Sequence, residues 1–312
     1  MTASWEIREG DALELMREMP RASVDAIVTS PPYADQRKYD GSAQRATERA
    51  NRNGRTPGKK NESRRKRAEG PSRGVEFLEP FLAEMLEVLK PDGGLMLNLG
   101  PVMRDGEDTA WEDEVLRRAR ALGWKLLQRI VWFKPNGMTL SAPAYMRVCH
   151  ETVYWLALST RAYRGYDRDT RTPHAETSKR RITQPYRGPH NDDGEMYAKR
   201  SPKHRLHPDG AKPGTVFTCG VGGTRDVKHP AVMAMPLALH LVSLASRGGA
   251  LVLDPFTGSG TTGIAALRRG RSFIGMEIVS EYAEEARRRI RDDAPLLNAA
   301  EGPDEQLSLE AA

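Results

Sequence analysis

A chain of 312 residues, 38% hydrophobic and 29% charged, is long enough for one large or two modest cores, and no apolar run in it approaches a bilayer span. Its net charge of +6 is gathered into tracts. Cys149 and Cys219 form neither a zinc pattern nor a disulfide framework, and MTASWEIREGDALEL is no basic-then-apolar leader, so cytosolic residence is the expectation.

Trp5 to Glu9 reads as a short strand and Ala12 to Met19 as a helix with Leu13, Leu15, Met16 and Met19 at helical spacing. Asp11 between them suits a helix cap, and equally a ligand contact at a strand's C-terminal end. Val24 to Thr29, VDAIVT, is a compact β-branched strand that stops at Ser30-Pro31-Pro32-Tyr33. Proline lacks the N–H a central strand needs and pushes the residue before it into an extended conformation, so this turn is stiff. It fixes the Ser30 hydroxyl and the carbonyls of Ser30 and Pro31 beside the Tyr33 ring. Such a cradle suits a flat group carrying an exocyclic amine, and it also suits a plain strand-to-loop turn with a half-buried tyrosine.

Residues 36–74 are polar and rich in Gly, Pro, Asn and Ser, with Lys and Arg far outnumbering Asp and Glu. Such a segment cannot bury enough apolar surface to fold alone, and it reads as a basic mobile loop. Val75 to Leu89 is an amphipathic helix with Phe77, Phe81, Leu82, Met85, Leu86 and Leu89 on one face, stopped by Pro91-Asp92-Gly93-Gly94. Leu95 to Leu99 is a strand, Trp111 to Leu122 a helix, Lys125 to Phe133 a strand with Trp132 and Phe133 in the core, and Glu151 to Leu158 a further strand. Strands alternating with helices predict an α/β fold with a mostly parallel sheet.

From residue 159 to 227 the apolar periodicity fades, and Arg, Lys, His, Tyr, Pro and Gly dominate. This stretch is expected to be an insert beside the sheet. Basic and aromatic residues interleave in it, a composition that can contact phosphates and base edges. A solvated charged surface is the simpler account of either basic tract taken alone. His174, His190, His204 and His207 match no zinc spacing, so no metal is expected.

Met235 to Ser246 is a helix. Leu251 to Leu253 is a buried strand that ends at Asp254-Pro255-Phe256, and a glycine turn follows (Gly258, Ser259, Gly260), with a helix from Thr261 or Thr262. This unit points backbone N–H groups and a helix N-terminus at one spot, which favours an anionic group there. Ser272 to Met276 is a strand that delivers Glu277, a carboxylate placed to take both hydroxyls of a ribose. GSGTTG by itself leaves open a nicotinamide or flavin dinucleotide, another nucleoside-bearing cofactor, or a structural turn. Ser280 to Arg291 is the last helix, and 294–312 reads as a flexible tail.

VTSPPY (Val28 to Tyr33) followed much later by DPFTGSGTT (Asp254 to Thr262) resembles the amino-methylating DNA methyltransferases. The order, with the catalytic turn before the cofactor turn, resembles the circularly permuted β-type arrangement. GDALELM, LKPDGGLM, WFKPN and KHPA stand where such enzymes carry similar stretches. The resemblance implies a Rossmann-like S-adenosylmethionine-dependent fold, a twisted sheet with helices on both faces. Its catalytic and cofactor-binding domain would comprise residues 1–158 and 228–293, and 159–227 would be the target-recognition insert.

It further implies that Asp11, Asp254, Pro255, Phe256, Gly258, Ser259, Gly260, Thr261 and Glu277 hold S-adenosylmethionine, with Asp11 at the adenosine end and Glu277 on the ribose. Ser30, Pro31, Pro32 and Tyr33 would present the exocyclic amine of a base flipped out of double-stranded DNA. Serine at the first position of the turn is similar to the N4-cytosine members. Adenine N6, RNA or a protein amide remain as other acceptors, and a nicotinamide-dependent oxidoreductase or an idle DNA-binding protein as other classes. The chain has no Pro-Cys dipeptide, which disfavours C5-cytosine chemistry. No membrane partner is implied. A cognate restriction endonuclease acting independently, and a monomer or a homodimer, stay open.

Overall fold

The structure is a computed structural model that describes residues 3–32, 72–104, 107–137, 146–166, 170–183, 206–221 and 232–293. The contacts divide the chain into two compact units: Met1–Arg164 with Thr215–Ala312, and Gly165–Gly214.

The larger unit is built on an eight-stranded sheet. Its strands are β1 (Trp5–Glu9), β2 (Val24–Thr29), β3 (Leu89–Leu99), β6 (Lys125–Phe133), β7 (His150–Ala157), β8 (Val216–Thr218), β9 (Leu251–Asp254) and β10 (Ser272–Glu277). A separate two-stranded ribbon pairs β4 (Met103–Arg104) with β5 (Glu107–Asp108). The order across the large sheet is β1-β10-β9-β2-β3-β7-β6-β8. Only β7 runs against its neighbours; every other pairing in this sheet is parallel. The N-terminal β1 lies beside β10, with Trp5 opposite Phe273 and Glu9 opposite Glu277. The first strand of the chain therefore lies beside the last, at one edge of the sheet.

The strands form because buried parallel strands favour β-branched and aliphatic residues on both faces. Leu95, Leu97 and Leu99 of β3 join the main core with Ile27, Leu253, Ile274 and Met276. Helices α1 (Ala12–Arg17), α2 (Ser72–Val88) and α3 (Trp111–Ala121) cover that face through Met16, Leu78, Leu82, Met85 and Val115. Helices α5 (Met235–Ala245), α6 (Thr261–Arg268) and α7 (Ser280–Asp293) cover the other. Buried indoles find partners: Trp111 Nε1 donates to the Gly100 carbonyl at 2.8 Å and Trp124 Nε1 to the Leu82 carbonyl at 3.1 Å.

Several expectations are corrected. Pro91-Asp92-Gly93-Gly94 does not lie in a turn before the strand: β3 already starts at Leu89 and carries these residues in a bulge. Opposite the bulge, the Asp25 carboxylate accepts from Lys90 Nζ and from the Leu251 amide, both at 2.8 Å. A side chain at Gly93 would lie 2.7 Å from the Asp25 carbonyl oxygen, so only glycine fits this approach. The far end of the loop expected over 36–74 is helical, because α2 starts at Ser72; the rest of that loop, residues 36–71, lies outside the described residues, as does the tail 294–312. The insert is not wholly beside the sheet: β8 pairs with β6, Val131 opposite Val216 and Phe133 opposite Thr218.

The smaller unit, Gly165–Gly214, carries α4 (Glu176–Thr183). Arg171 ties it together, donating to the Tyr166 and Gly210 carbonyls at 2.8 Å each, beside a Thr172–Ala211 bridge. Among the described residues, no helix is long and apolar enough to cross a membrane.

Candidate active site

The parallel strands aim their C-terminal ends at one edge of the sheet, and β7, running the other way, brings its start to the same edge. A cleft of about 790 Å³ opens there. Each strand that borders it contributes a short polar or apolar segment: Gly10 and Asp11 after β1, Glu277 and Ile278 from β10, Asp254 to Ser259 after β9, Ser30 to Pro32 after β2, Asn98 from β3, Lys134 after β6 and Glu151 from β7. Open α/β sheets bind ligands at such an edge, where the strand order reverses. Here the reversal falls between β9 and β2, which are neighbours in the sheet although one is near the end of the chain and the other near its start.

The β9 side of the cleft is a carboxylate-rich, glycine-backed wall. Asp254 is buried; its Oδ1 accepts from Thr29 Oγ1 at 2.6 Å and from the Phe256 amide at 3.1 Å. Burial raises its pKa to about 6, against hydrogen bonds from Thr29, Thr262 and the Phe256 amide that favour the charged form. Glu277 clasps the turn: Oε2 accepts from the Gly258 amide and Oε1 from the Val279 amide, each at 2.9 Å. Its pKa is also raised, by burial first and then against those amides. Asp11 caps α1, accepting from Leu13 N at 2.8 Å and Glu14 N at 3.3 Å, and it lines the cleft as well. Asp11 thus serves as the helix cap and also stands at the cleft. Phe256 forms an aromatic step with Phe81 (centroids 5.0 Å apart) and Phe77 (6.2 Å). Phe77, on the apolar face of the helix, is 41% exposed at the cleft, because α2 presents its first turns to the opening.

The glycines of the turn serve different ends. Gly260 has φ +80° and caps α6 in a left-handed conformation that costs other residues strain. It does not line the cleft; a Cβ there would lie 3.0 Å from the Ala286 Cβ on α7. Gly263 lets α6 sit on β10, where a side chain would meet Phe273 at 2.6 Å. Arg289 of α7 secures the turn by donating to the Ser259 carbonyl and to Thr261 Oγ1.

The β2 side is different in chemistry. Ser30, Pro31 and Pro32 line it, and Tyr33 lies outside the described residues. Beside Ser30 stands a group of polar residues that the sequence reading passed over. Asn98 Nδ2 is 3.3 Å from Ser30 Oγ and 2.6 Å from Glu151 Oε2, and Lys134 Nζ donates to Glu151 Oε1 at 2.7 Å. Trp132, expected in the core, is buried and lines the cleft too, with Lys134 Nζ 5.2 Å from its ring centroid. The signal was present. Asn98 interrupts the apolar strand LMLNL, and Lys134 and Glu151 sit at the ends of apolar strands, where α/β sheets place ligand contacts.

The β9 wall fits a cationic nucleoside-type ligand better than a dinucleotide. Asp11, Asp254 and Glu277 face the cleft, and the only Lys or Arg among its described lining residues, Lys134, is already paired with Glu151. A pyrophosphate would meet carboxylates without a counter-charge; a sulfonium or ammonium would be welcomed. The Glu277 carboxylate, held by the Gly258 and Val279 amides, still borders the cleft and can accept from a hydroxyl there.

The N6/N4 methyltransferase family model, described as DNA methylase, matches residues 24–288. The DNA adenine methyltransferase YhdJ of Escherichia coli (strain K12) is 27% identical over 288 residues, 91% of this chain and 82% of the relative. Among solved structures, the PvuII DNA methyltransferase (cytosine-N4-specific) superposes with a TM-score of 0.61 at 19% identity, covering 96% of this chain and 95% of that one. TTHA0409 of Thermus thermophilus, a putative DNA modification methylase complexed with S-adenosyl-L-methionine, gives 0.57 at 24% identity over 94% and 97%.

Proposed function

The chain belongs to the N6/N4 DNA methylase family, and from that premise we propose that it is a site-specific DNA methyltransferase acting on the N4 amine of a cytosine flipped out of double-stranded DNA. The cofactor is S-adenosylmethionine. The observation that carries the reading is the adjacency of two turns. Thr29, the residue before Ser30, is hydrogen-bonded to Asp254, the residue at which the cofactor turn begins. A base edge at Ser30 and a methyl donor on the β9 wall would thus share one cleft.

When bound, the cofactor supplies an electrophilic methyl group on a sulfonium. Everything else falls to this chain. Glu277 and Asp11 would hold the adenosine, and Asp254, Pro255, Phe256, Gly258, Ser259 and Thr261 the remainder. Gly260 would act through the shape of the turn. Ser30, with the carbonyl of Pro31, would face the edge of the base that carries the amine, and Tyr33 would stack on its ring. With N4 so placed, its lone pair would be aimed at the methyl group, the sulfur would keep the bonding pair, and the proton shed by the methylated amine would pass to water at the cleft mouth. No enzyme-bound intermediate is needed. Orientation in the cleft, with carboxylates near the developing positive charge, would account for the acceleration.

A second reading, the same chemistry on adenine N6, is favoured by the likeness to a relative named as an adenine methyltransferase. The Gly165–Gly214 unit would choose the DNA sequence, and the basic segment 36–71 would grip phosphates near the flipped base. Mass spectrometry of nucleosides from DNA treated with the enzyme and labelled cofactor separates N4-methylcytosine from N6-methyladenine.

A further inference from the structure

The chain Lys134–Glu151–Asn98–Ser30 has a direction. Lys134 and Glu151 form an ion pair with side chains only 11% and 15% exposed, and Asn98 is 2% exposed. A pair so far out of water is a poor source of stability, since desolvation offsets much of its attraction. Its retention at the cleft floor needs another account. Lys134 donates to Glu151, so the carboxylate acts as acceptor on both oxygens. The Asn98 atom 2.6 Å from Glu151 Oε2 must then be the amide nitrogen; the carbonyl oxygen there would face like charge. This orientation directs the other amide hydrogen of Asn98 to Ser30 Oγ. Ser30 thus receives a hydrogen bond from the protein, and its own hydrogen has no acceptor among the described residues. Asn98 Oδ1, which could take it if the amide were turned over, is buried with no partner among the described residues.

We propose that Glu151 is a positioning residue that sets the hydrogen-bond polarity of Ser30, and that Ser30 in consequence donates to the ring nitrogen next to the amine-bearing carbon of the bound base. That nitrogen carries a lone pair in cytosine (N3) and in adenine (N1). The matching positions of thymine and guanine carry N–H and would oppose the serine hydrogen. The site is thereby selective for amine-bearing bases whose neighbouring ring atom accepts, and the amine hydrogens fall to the carbonyls of the Ser30–Pro32 turn. This deepens the reading above and rests on it, but it changes the role of Ser30 from acceptor of the amine to donor to the ring.

The test uses the full-length enzyme and a duplex carrying its methylated sequence, with the target as cytosine or as 3-deazacytosine, which keeps the N4 amine and lacks the N3 acceptor. If the target proves to be adenine, 1-deazaadenine takes its place. In the wild type, removing the ring acceptor should lower kcat/KM on the order of tenfold, the scale of one neutral hydrogen bond in a buried site, mainly through KM. Ser30→Ala should lose this discrimination. Glu151→Gln, which lets the Asn98 amide turn over and take the serine hydrogen, should lose most of it too, with cofactor affinity by calorimetry unchanged. Equal kcat/KM for both bases in the wild type overturns the proposal while methyl transfer stands. Full discrimination retained by a folded Glu151→Gln overturns the role of Glu151. If that variant does not fold, retention of discrimination by Ser30→Ala overturns the donor role of Ser30. A wild type that methylates neither base defeats the proposed function itself.

Discussion

Thr29 Oγ1 donates to Asp254 Oδ1 at 2.6 Å, with both side chains buried. The bond spans β2 and β9 and fixes the distance between the turn that would hold the base and the turn that would hold the cofactor. Thr29→Val keeps the shape and removes the donor. It should destabilise the fold by about 1–2 kcal/mol, the range for a lost buried hydrogen bond to a carboxylate that keeps other donors. Denaturant unfolding reads the stability loss. Calorimetry with S-adenosylmethionine should show weaker binding, because Asp254 is then held by fewer groups.

Asp254 sets a pH dependence whose sign is fixed. Its pKa is raised to about 6 in the folded protein from the ordinary 3.8. A raised value stabilises the fold fully below the unfolded pKa, and this contribution is lost as pH rises through about 6. The stability of the wild type minus that of Asp254→Asn should therefore fall between pH 4 and pH 7, by on the order of 2–3 kcal/mol. Binding of a cationic cofactor runs the other way. It favours the ionised carboxylate, so affinity should drop as pH falls below about 6, and Asp254→Asn should flatten that drop.

Glu277 clasps the Gly258 amide as well as facing the cleft. Glu277→Gln keeps one acceptor and loses the charge. Cofactor affinity should fall about tenfold or more, a charge-assisted hydrogen bond being lost, while DNA affinity measured without cofactor should stay unchanged. Equal losses in both would point to a collapsed turn instead.

How much of this was legible in the sequence depended on how local each signal is. β1, β2, β6 and the strand–turn–helix at Asp254 announce themselves through runs of apolar residues bounded by Gly, Pro and Asp. Those patterns are read within a few residues. Pro91 to Gly94 misled, because the tertiary approach of Asp25 absorbs a would-be turn into β3. β8 was missed, because three residues in a polar tract carry no periodicity; only the edge of β6 makes them a strand. Asn98, Lys134 and Glu151 were missed as a group. Each belongs to a different strand, and sheet order alone brings them to Ser30. The permuted order was legible because both motifs are short and their sequence order is itself the signal.

The two segments proposed to meet DNA should separate in experiment. Deleting residues 42–70 should lower DNA affinity and flatten its dependence on salt, since phosphate contacts release counterions. Exchanging 165–214 for the corresponding segment of another family member should change the methylated sequence and leave cofactor affinity as it was. A deletion that leaves the salt slope untouched would remove the phosphate-gripping role from 36–71.

The most direct test of the central claim is nucleoside mass spectrometry of duplex DNA incubated with the enzyme and methyl-labelled S-adenosylmethionine. The account predicts label in N4-methylcytosine, reduced on the order of tenfold in Ser30→Ala while that variant still binds the cofactor. Label in N6-methyladenine alone, or in no nucleoside, would contradict it.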